Sequence, residues 1–159
     1  MFTSVYLSGG MEYAAGEGRD WRRKMQEWLE GECGCSVFNP NRESDRLFRT
    51  RFEGVDFRRL KHEDAERYRL IASELVEIDC HEIAERSDLV ICYWDASAQR
   101  GAGTKGELTI ARYLRKPVWL VTAVPFTDIP GWVLGCTTRI FGDFEALKAE
   151  MRKFGETPP

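Results

Sequence analysis

The chain has 159 residues, of which 43% are hydrophobic and 31% charged, and this composition is ordinary for a globular protein of one domain. Its formal net charge of -3 argues against a binder of nucleic-acid polymers, because such proteins are normally basic. We therefore expect a single domain over residues 1–159 that binds a small molecule, with a few local cations available for an anionic one.

The cysteines and the opening residues narrow the class of protein further. Five cysteines at irregular spacing form no disulfide framework. Cys33 and Cys35 lack a second cysteine pair or a nearby histidine that would complete a zinc site, so we expect no metal and no cofactor. The opening Met-Phe-Thr-Ser-Val-Tyr has neither a basic start nor a long apolar run, and we expect a cytoplasmic protein without a signal peptide or membrane span.

Hydrophobic periodicity predicts strands that alternate with helices along the chain. The first strand, over residues 4–8, ends at Gly9 and Gly10, where glycines permit a tight turn or a close approach of the backbone to a ligand. The other predicted strands cover residues 36–40, 89–94, 118–121 and 139–141, and the predicted helices cover residues 18–32, 68–86 and 144–154, with a further helix between the third and fourth strands.

This alternation of elements predicts an α/β fold. Parallel strands joined by helices require right-handed crossovers, which place helices on both faces of the sheet. The near-continuous apolar run over residues 89–94 suits a central parallel strand that is covered on both faces. We predict a flavodoxin-like or Rossmann-like three-layer sandwich with a five-stranded, mainly parallel sheet.

The region over residues 41–66 is charged and irregular, with arginines interleaved among phenylalanines. We predict a long loop with short helical pieces that covers a pocket, because connections of this length are usually functional or disordered. Its arginines either form a solvated face or include one or two that meet an anionic substrate. The residues concerned are Arg42, Arg46, Arg49, Arg51, Arg58, Arg59, Phe48, Phe52 and Phe57.

The segment between the third and fourth strands is the leading candidate for a functional site. It consists of a glycine-rich loop, residues 95–106, and a helix whose first turn carries one carboxylate, Glu107. Ligands of open α/β sheets bind at this edge, outside the carboxyl ends of the strands. We expect Thr104 to cap the helix, and Lys105 and the helix N-terminus to keep Glu107 charged. Gly103 and Thr104 are candidate substrate-binding residues, and the N–H groups there suit a 5′-phosphate.

Three stretches together resemble a known family. They are Val-Tyr-Leu-Ser-Gly-Gly-Met from residue 5, Ile78-Asp79 with Ile83 and Ser-Asp-Leu-Val-Ile from residue 87, and Asp95 with Gly-Thr-Lys-Gly-Glu from residue 103, then Ala111 and Lys-Pro-Val from residue 116. In order and spacing they are similar to the nucleoside 2-deoxyribosyltransferase family and its nucleotide N-glycoside hydrolase relatives. The resemblance covers the first strand and roughly residues 75–122, and it implies a small nucleoside or nucleotide substrate and a homo-oligomer.

The resemblance also implies roles for individual residues. Glu107 matches the family's nucleophilic glutamate, and Asp79 and Asp95 match acids that hold the sugar hydroxyls or assist at the base. A carboxylate suits this chemistry because cleavage of an N-glycosidic bond passes through an oxocarbenium-like state that an anion stabilises or captures covalently. The turn that lines the family's pocket matches Tyr6, Gly9 and Gly10.

Other functions stay open at this point. Glu107 alone also fits a capping acid of a surface helix. The transferases often carry an acid six residues before the glutamate, and in this sequence that position is Gly101. The absence of this acid favours a second hypothesis, a nucleotide-binding sensor module without catalysis. A third is an NAD glycohydrolase, in which one glutamate cleaves the nicotinamide bond. The consumption of a bound nucleotide separates the first hypothesis from the second, and release of nicotinamide identifies the third.

Overall fold

A five-stranded sheet, parallel throughout, organises the computed structural model, which describes residues 2–156. The strand order is β2-β1-β3-β4-β5, which is the flavodoxin-like order. The predicted fold class is therefore confirmed. The strands are β1 (Ser4–Gly9), β2 (Ser36–Phe38), β3 (Leu89–Trp94), β4 (Val118–Thr122) and β5 (Arg139–Phe141).

Helices cover both faces of this sheet. Val5 and Leu7 of β1 face the side on which α1 (Arg19–Glu32) and α8 (Phe144–Glu156) pack. Tyr6 packs in the opposite core with residues of α6 (Gly103–Tyr113) and α7 (Gly131–Cys136). Because side chains alternate along a strand, Ser8 lies on the same face as Tyr6. The helices are α1 (Arg19–Glu32), α2 (Pro40–Thr50), α3 (Phe57–Glu63), α4 (Ala65–His81), α5 (Ala96–Arg100), α6 (Gly103–Tyr113), α7 (Gly131–Cys136) and α8 (Phe144–Glu156).

The region over residues 41–66 contains more regular structure than we predicted. Asn39 caps α2 by accepting a hydrogen bond from the backbone N–H of Asn41, and Pro40 occupies the first turn of that helix. The predicted strand over residues 36–40 is therefore two residues too long, because Asn39 caps α2 and Pro40 begins it. Asp56 and Asp64 cap α3 and α4 in the same way.

The glycine-rich segment also differs from its prediction. Residues 96–100 form the short helix α5, and α6 begins at Gly103, so Glu107 lies in the second turn and not in the first. Thr104 is inside α6, and no side chain caps that helix, so the expected cap at Thr104 was wrong. Helix α7 was not predicted, because its Gly-Trp-Val-Leu-Gly-Cys sequence is short and has two helix-disfavouring glycines.

None of the helices within residues 2–156 combines the length and the apolar character that a bilayer-spanning segment needs.

Candidate active site

Glu107 connects α6 to the end of β1. Side chains in a helix lean toward its N-terminus, and from the second turn of α6 this direction brings the carboxyl group to the carboxyl edge of the sheet. The Ser8 hydroxyl donates a hydrogen bond of 2.5 Å to Oε2 of Glu107. Oε1 forms no hydrogen bond with any described residue and is not among the fully buried unpaired atoms, so it remains accessible. Glu107 therefore has one anchored oxygen and one open oxygen.

The surroundings of Glu107 act on its charge in opposite directions. Burial among protein atoms raises the pKa of Glu107, whereas the Ser8 hydroxyl, the Arg22 guanidinium and the Tyr6 hydroxyl lower it. The side chain is enclosed and yet part of its surface stays accessible. The Glu107 side chain is therefore half-buried. Lys105, which we expected to keep Glu107 charged, instead donates to the backbone carbonyl of Gln99 at 2.7 Å.

Asp79 is the second acid of this cluster and projects from α4. Burial raises the pKa of Asp79 to about 7, and the negative charge of Glu107 adds to the rise, while Tyr6 and Arg22 oppose it. Two carboxyl groups this close cannot both ionise freely, so each influences the titration of the other. Burial thus raises the pKa of both acids, and the two carboxyl groups titrate as a coupled pair.

Tyr6 lies between the two acids. Its hydroxyl is buried and forms no hydrogen bond of regular geometry, although the carboxyl groups of Asp79 and Glu107 are close enough to act on its pKa. Burial, followed by these two negative charges, raises the pKa of Tyr6 well above its usual range. The phenol therefore keeps its proton and is available as a donor. Its ring stacks on Phe38 of β2, with ring centroids 5.2 Å apart and 12° between the planes.

Arg22 is a functional candidate that sequence reasoning missed. It is 1% exposed, and it provides the buried positive charge that acts on Glu107, Asp79 and Tyr6. The sequence did contain a signal that Arg22 is buried. Arg22 lies three residues before Met25 and seven before Leu29, so it belongs to the buried stripe of α1. The guanidinium donates to the backbone carbonyls of Leu7 at 3.2 Å, Gly9 at 2.7 Å, Gly10 at 3.4 Å, Glu17 at 3.1 Å and Gly18 at 3.4 Å, and to the Asn41 side chain at 3.4 Å.

Close contacts require the two glycines at the end of β1, Gly9 and Gly10. A Cβ atom on Gly9 would lie 2.9 Å from the Trp21 ring, and one on Gly10 would lie 2.0 Å from the Ser97 hydroxyl oxygen. Separations this short exclude any side chain without movement of its neighbours. The turn after β1 thus packs directly on the start of α5 and on α1, at the edge of the sheet where Glu107 lies.

Asp95 lies at the same edge but is occupied with its own helix. Its Oδ1 accepts hydrogen bonds from the backbone N–H groups of Ser97 and Ala98, both at 2.9 Å, and from the Ser97 hydroxyl at 2.5 Å. The structure does not bring Asp95 into contact with Glu107 or Asp79, and its catalytic role stays a prediction. Gly103 lies closer, since a Cβ atom on it would be 4.0 Å from Oε1 of Glu107.

Exposed ion pairs join the turn after β1 to the region over residues 41–66. Lys61 of α3 pairs with Glu12 at 2.7 Å, and Arg58 of the same helix pairs with Glu17 at 3.0 Å. These contacts place α3 against the segment that Arg22 holds, and the prediction that this region covers a pocket stays a prediction. Other arginines of the region are also paired with acids: Arg46 with Glu43, Arg51 with Glu74 and Arg59 with Glu63.

A wide groove of about 930 Å³ runs along the β2 edge, between α2 and α4. Phe38 and Ile78 contribute to its lining, whereas Glu107 does not. The groove therefore borders the acid cluster without containing the open carboxylate oxygen. Among residues 2–156, no group of three or more His, Cys, Asp or Glu side chains is arranged to hold a metal ion.

Comparisons with known proteins give a likeness in structure but none in sequence. No family model matches the chain, and no curated protein matches it. Among solved structures, a CMP N-glycosidase, BcmB, of Clostridium botulinum is similar, with 17% sequence identity, a TM-score of 0.49, and coverage of 96% of this chain and 99% of that one. A likeness at this level says nothing about which residues carry out chemistry.

Proposed function

We propose that this protein cleaves the N-glycosidic bond of a nucleoside or nucleotide, with Glu107 as the nucleophile. One observation carries the proposal: the carboxyl group of Glu107 is anchored through Oε2 and open at Oε1, beside an acid that keeps its proton to about pH 7. An ionised carboxylate next to a protonated one is the combination that glycosidic cleavage requires.

In the proposed reaction Glu107 reacts in its ionised form and Asp79 carries the proton. Oε1 of Glu107 forms a bond to the anomeric carbon while the bond from that carbon to the base nitrogen breaks, and its electron pair leaves with the base. A protonated Asp79 supplies a proton to the departing base, directly or through the Tyr6 hydroxyl, so that the base leaves neutral. Water then hydrolyses the glycosyl ester in a retaining enzyme. A second base that takes the place of water gives deoxyribosyl transfer through the same intermediate.

The remaining residues supply binding and charge compensation. The buried Arg22 offsets the negative charge of the site and fixes the turn after β1, at which a sugar would approach. The start of α6, with Gly103 and Thr104, offers N–H groups to a 5′-phosphate. The resemblance in sequence to nucleoside 2-deoxyribosyltransferases supports these assignments, because Tyr6, Asp79 and Glu107 match that family and also lie together in the fold.

The test compares the wild type with Glu107→Gln on deoxynucleosides, ribonucleosides, their 5′-monophosphates and NAD, with free base measured by chromatography. We expect base release from at least one of them, and a loss of about three orders of magnitude or more in the variant, with ligand-induced thermal stabilisation retained. Release of nicotinamide from NAD would define the subclass of the substrate.

Glu82→Gln is the matched control. Glu82 is also an acid whose pKa burial raises, but it lies in the turn after α4, paired with Arg86. We expect the activity of Glu82→Gln to stay within about twofold of wild type, because Glu82 lies outside the acid cluster. Undiminished turnover in Glu107→Gln would contradict the proposal, and stabilisation by a nucleotide that is never consumed would replace it with the sensor hypothesis.

A further inference from the structure

The hydroxyl group of Ser8 is the one regular hydrogen-bond donor to Glu107 among the described residues. Ser8 is fully buried near the end of β1, ninety-nine positions from Glu107 in sequence, and it pairs in register with Cys92 of β3. Both neighbours on this face, Tyr6 and Cys92, are as buried as Ser8. The hydroxyl is thus held by the sheet, and its donor points to one carboxylate oxygen only.

Anchoring one oxygen of a carboxylate has a chemical consequence. A free glutamate side chain exchanges its two oxygens by rotation about its last bond and samples several rotamers. A hydrogen bond from a rigid strand to Oε2 selects one orientation, and in it Oε1 is accessible and faces the start of α6, near Gly103. Such orientation lowers the entropy cost of reaching the attacking geometry.

We propose that Ser8 is the positioning residue of the reaction: its hydroxyl fixes Oε2 of Glu107, so that Oε1 is the atom that attacks the anomeric carbon. This inference rests on the proposed function and adds the atom that reacts and the group that directs it. Ser8 does not touch the substrate in this account, and it acts through Glu107 alone.

The same hydrogen bond contributes to keeping Glu107 ionised. Among the groups that lower the pKa of Glu107, the Ser8 hydroxyl has the largest effect, ahead of Arg22 and Tyr6. Loss of the donor would leave an enclosed carboxylate with less compensation, so its pKa would rise. The titratable and charged groups that face this site are Tyr6 on β1, Arg22 on α1, Asp79 on α4 and Cys92 on β3, with Asp95 beyond Cys92.

The experiment measures the pH dependence of kcat and KM for wild type, Ser8→Ala and Ser8→Thr. We expect kcat of Ser8→Ala to fall by roughly 10- to 100-fold with KM nearly unchanged, which is the effect of one hydrogen bond to a charged group. The acidic limb of its profile should move upward by about one pH unit, because Glu107 then ionises later. Ser8→Thr keeps a hydroxyl and should restore most of kcat.

Ser4→Ala is the control on the same strand and the same face. Its hydroxyl accepts a hydrogen bond from the backbone N–H of Asp88 at 3.0 Å, away from the acid cluster, so its pH profile should match that of wild type. If wild type is active and Ser8→Ala has the same pH dependence of kcat and KM, the inference is overturned and the proposed function stays intact.

A second readout does not depend on turnover. The carboxyl carbon of Glu107, labelled with carbon-13 and assigned by its loss in Glu107→Gln, reports ionisation by NMR. A higher pKa in Ser8→Ala than in wild type supports the inference, and identical titrations overturn it. The two failures can be told apart. If Ser8→Ala shows the expected titration shift but wild type releases no base from any substrate, the proposed function is refuted, and the role of Ser8 in the reaction with it.

Discussion

Asp79 shows how one residue acquires a chemical role from its surroundings. In the sequence, Asp79 is an ordinary acid seven residues before the end of the predicted helix over residues 68–86. Its one unusual feature is its position toward the C-terminal end, where the helix dipole disfavours a negative charge. In the structure, burial and the charge of Glu107 raise its pKa to about 7. The sequence carried the identity of this acid, whereas its protonation state depends on a fold that brings α4 and α6 together.

Asp79→Asn tests that protonation state through stability. In the unfolded chain an aspartate ionises near pH 4, whereas Asp79 in the fold ionises at about 7. Between these values the native state binds more protons than the unfolded state, so stability from this group is complete below pH 4 and is lost as pH rises toward 7. Relative to the variant, wild type should lose up to about 4 kcal/mol of unfolding free energy across this window.

The measurement is chemical unfolding at a series of pH values for both proteins. Asn keeps the size of the side chain and removes its titration, so the difference between the two stabilities isolates the acid. Parallel stability curves from pH 4 to 8 would show that Asp79 titrates as an exposed acid and would remove it as the proton donor.

At the scale of elements, α1 and the turn after β1 form one unit through Arg22. Its guanidinium donates to carbonyl groups of β1, of the following turn and of the residues just before α1. The amphipathic pattern predicted α1 within one residue of its observed start, but a buried arginine in its stripe is visible only when the partners are known. The partners of Arg22 are mostly backbone carbonyl groups, and the identities of the side chains in the sequence do not indicate where these groups lie.

Arg22→Met should destabilise the fold by about 3 kcal/mol or more, because several buried carbonyl groups lose their donor at once. The adjacent Arg23→Met is the control, since Arg23 is exposed and pairs with Asp20 and Glu27 at the surface. The Arg23→Met substitution should change stability little, because exposed ion pairs contribute little to it. Unfolding in urea measures both, and equal small losses would contradict the structural role of Arg22.

At the scale of the whole molecule, a parallel sheet brings distant residues to one edge. Ser8 lies near the end of β1, Asp95 follows β3, and Glu107 lies in the second turn of α6. All three are at the carboxyl edge of the sheet. The alternation of elements was enough to predict this edge and the strand order. It was not enough for α2 and α3, where charged residues gave no apolar period and the capping side chains of Asn39, Asp56 and Asp64 carried the signal.

The most direct measurement of the central claim is the capture of a sugar on Glu107. Nucleosides with fluorine at the 2′ position are suitable probes. Once their sugar is bound to Glu107 as a glycosyl ester, water releases it slowly, because fluorine destabilises the oxocarbenium-like state. Cleavage after Lys105 and Arg112 gives the peptide Gly-Glu-Leu-Thr-Ile-Ala-Arg, in which Glu107 is the one side-chain carboxyl. We predict that mass spectrometry finds the sugar on this peptide in wild type and not in Glu107→Gln. Base release with this peptide unmodified and the sugar on another residue would contradict the account.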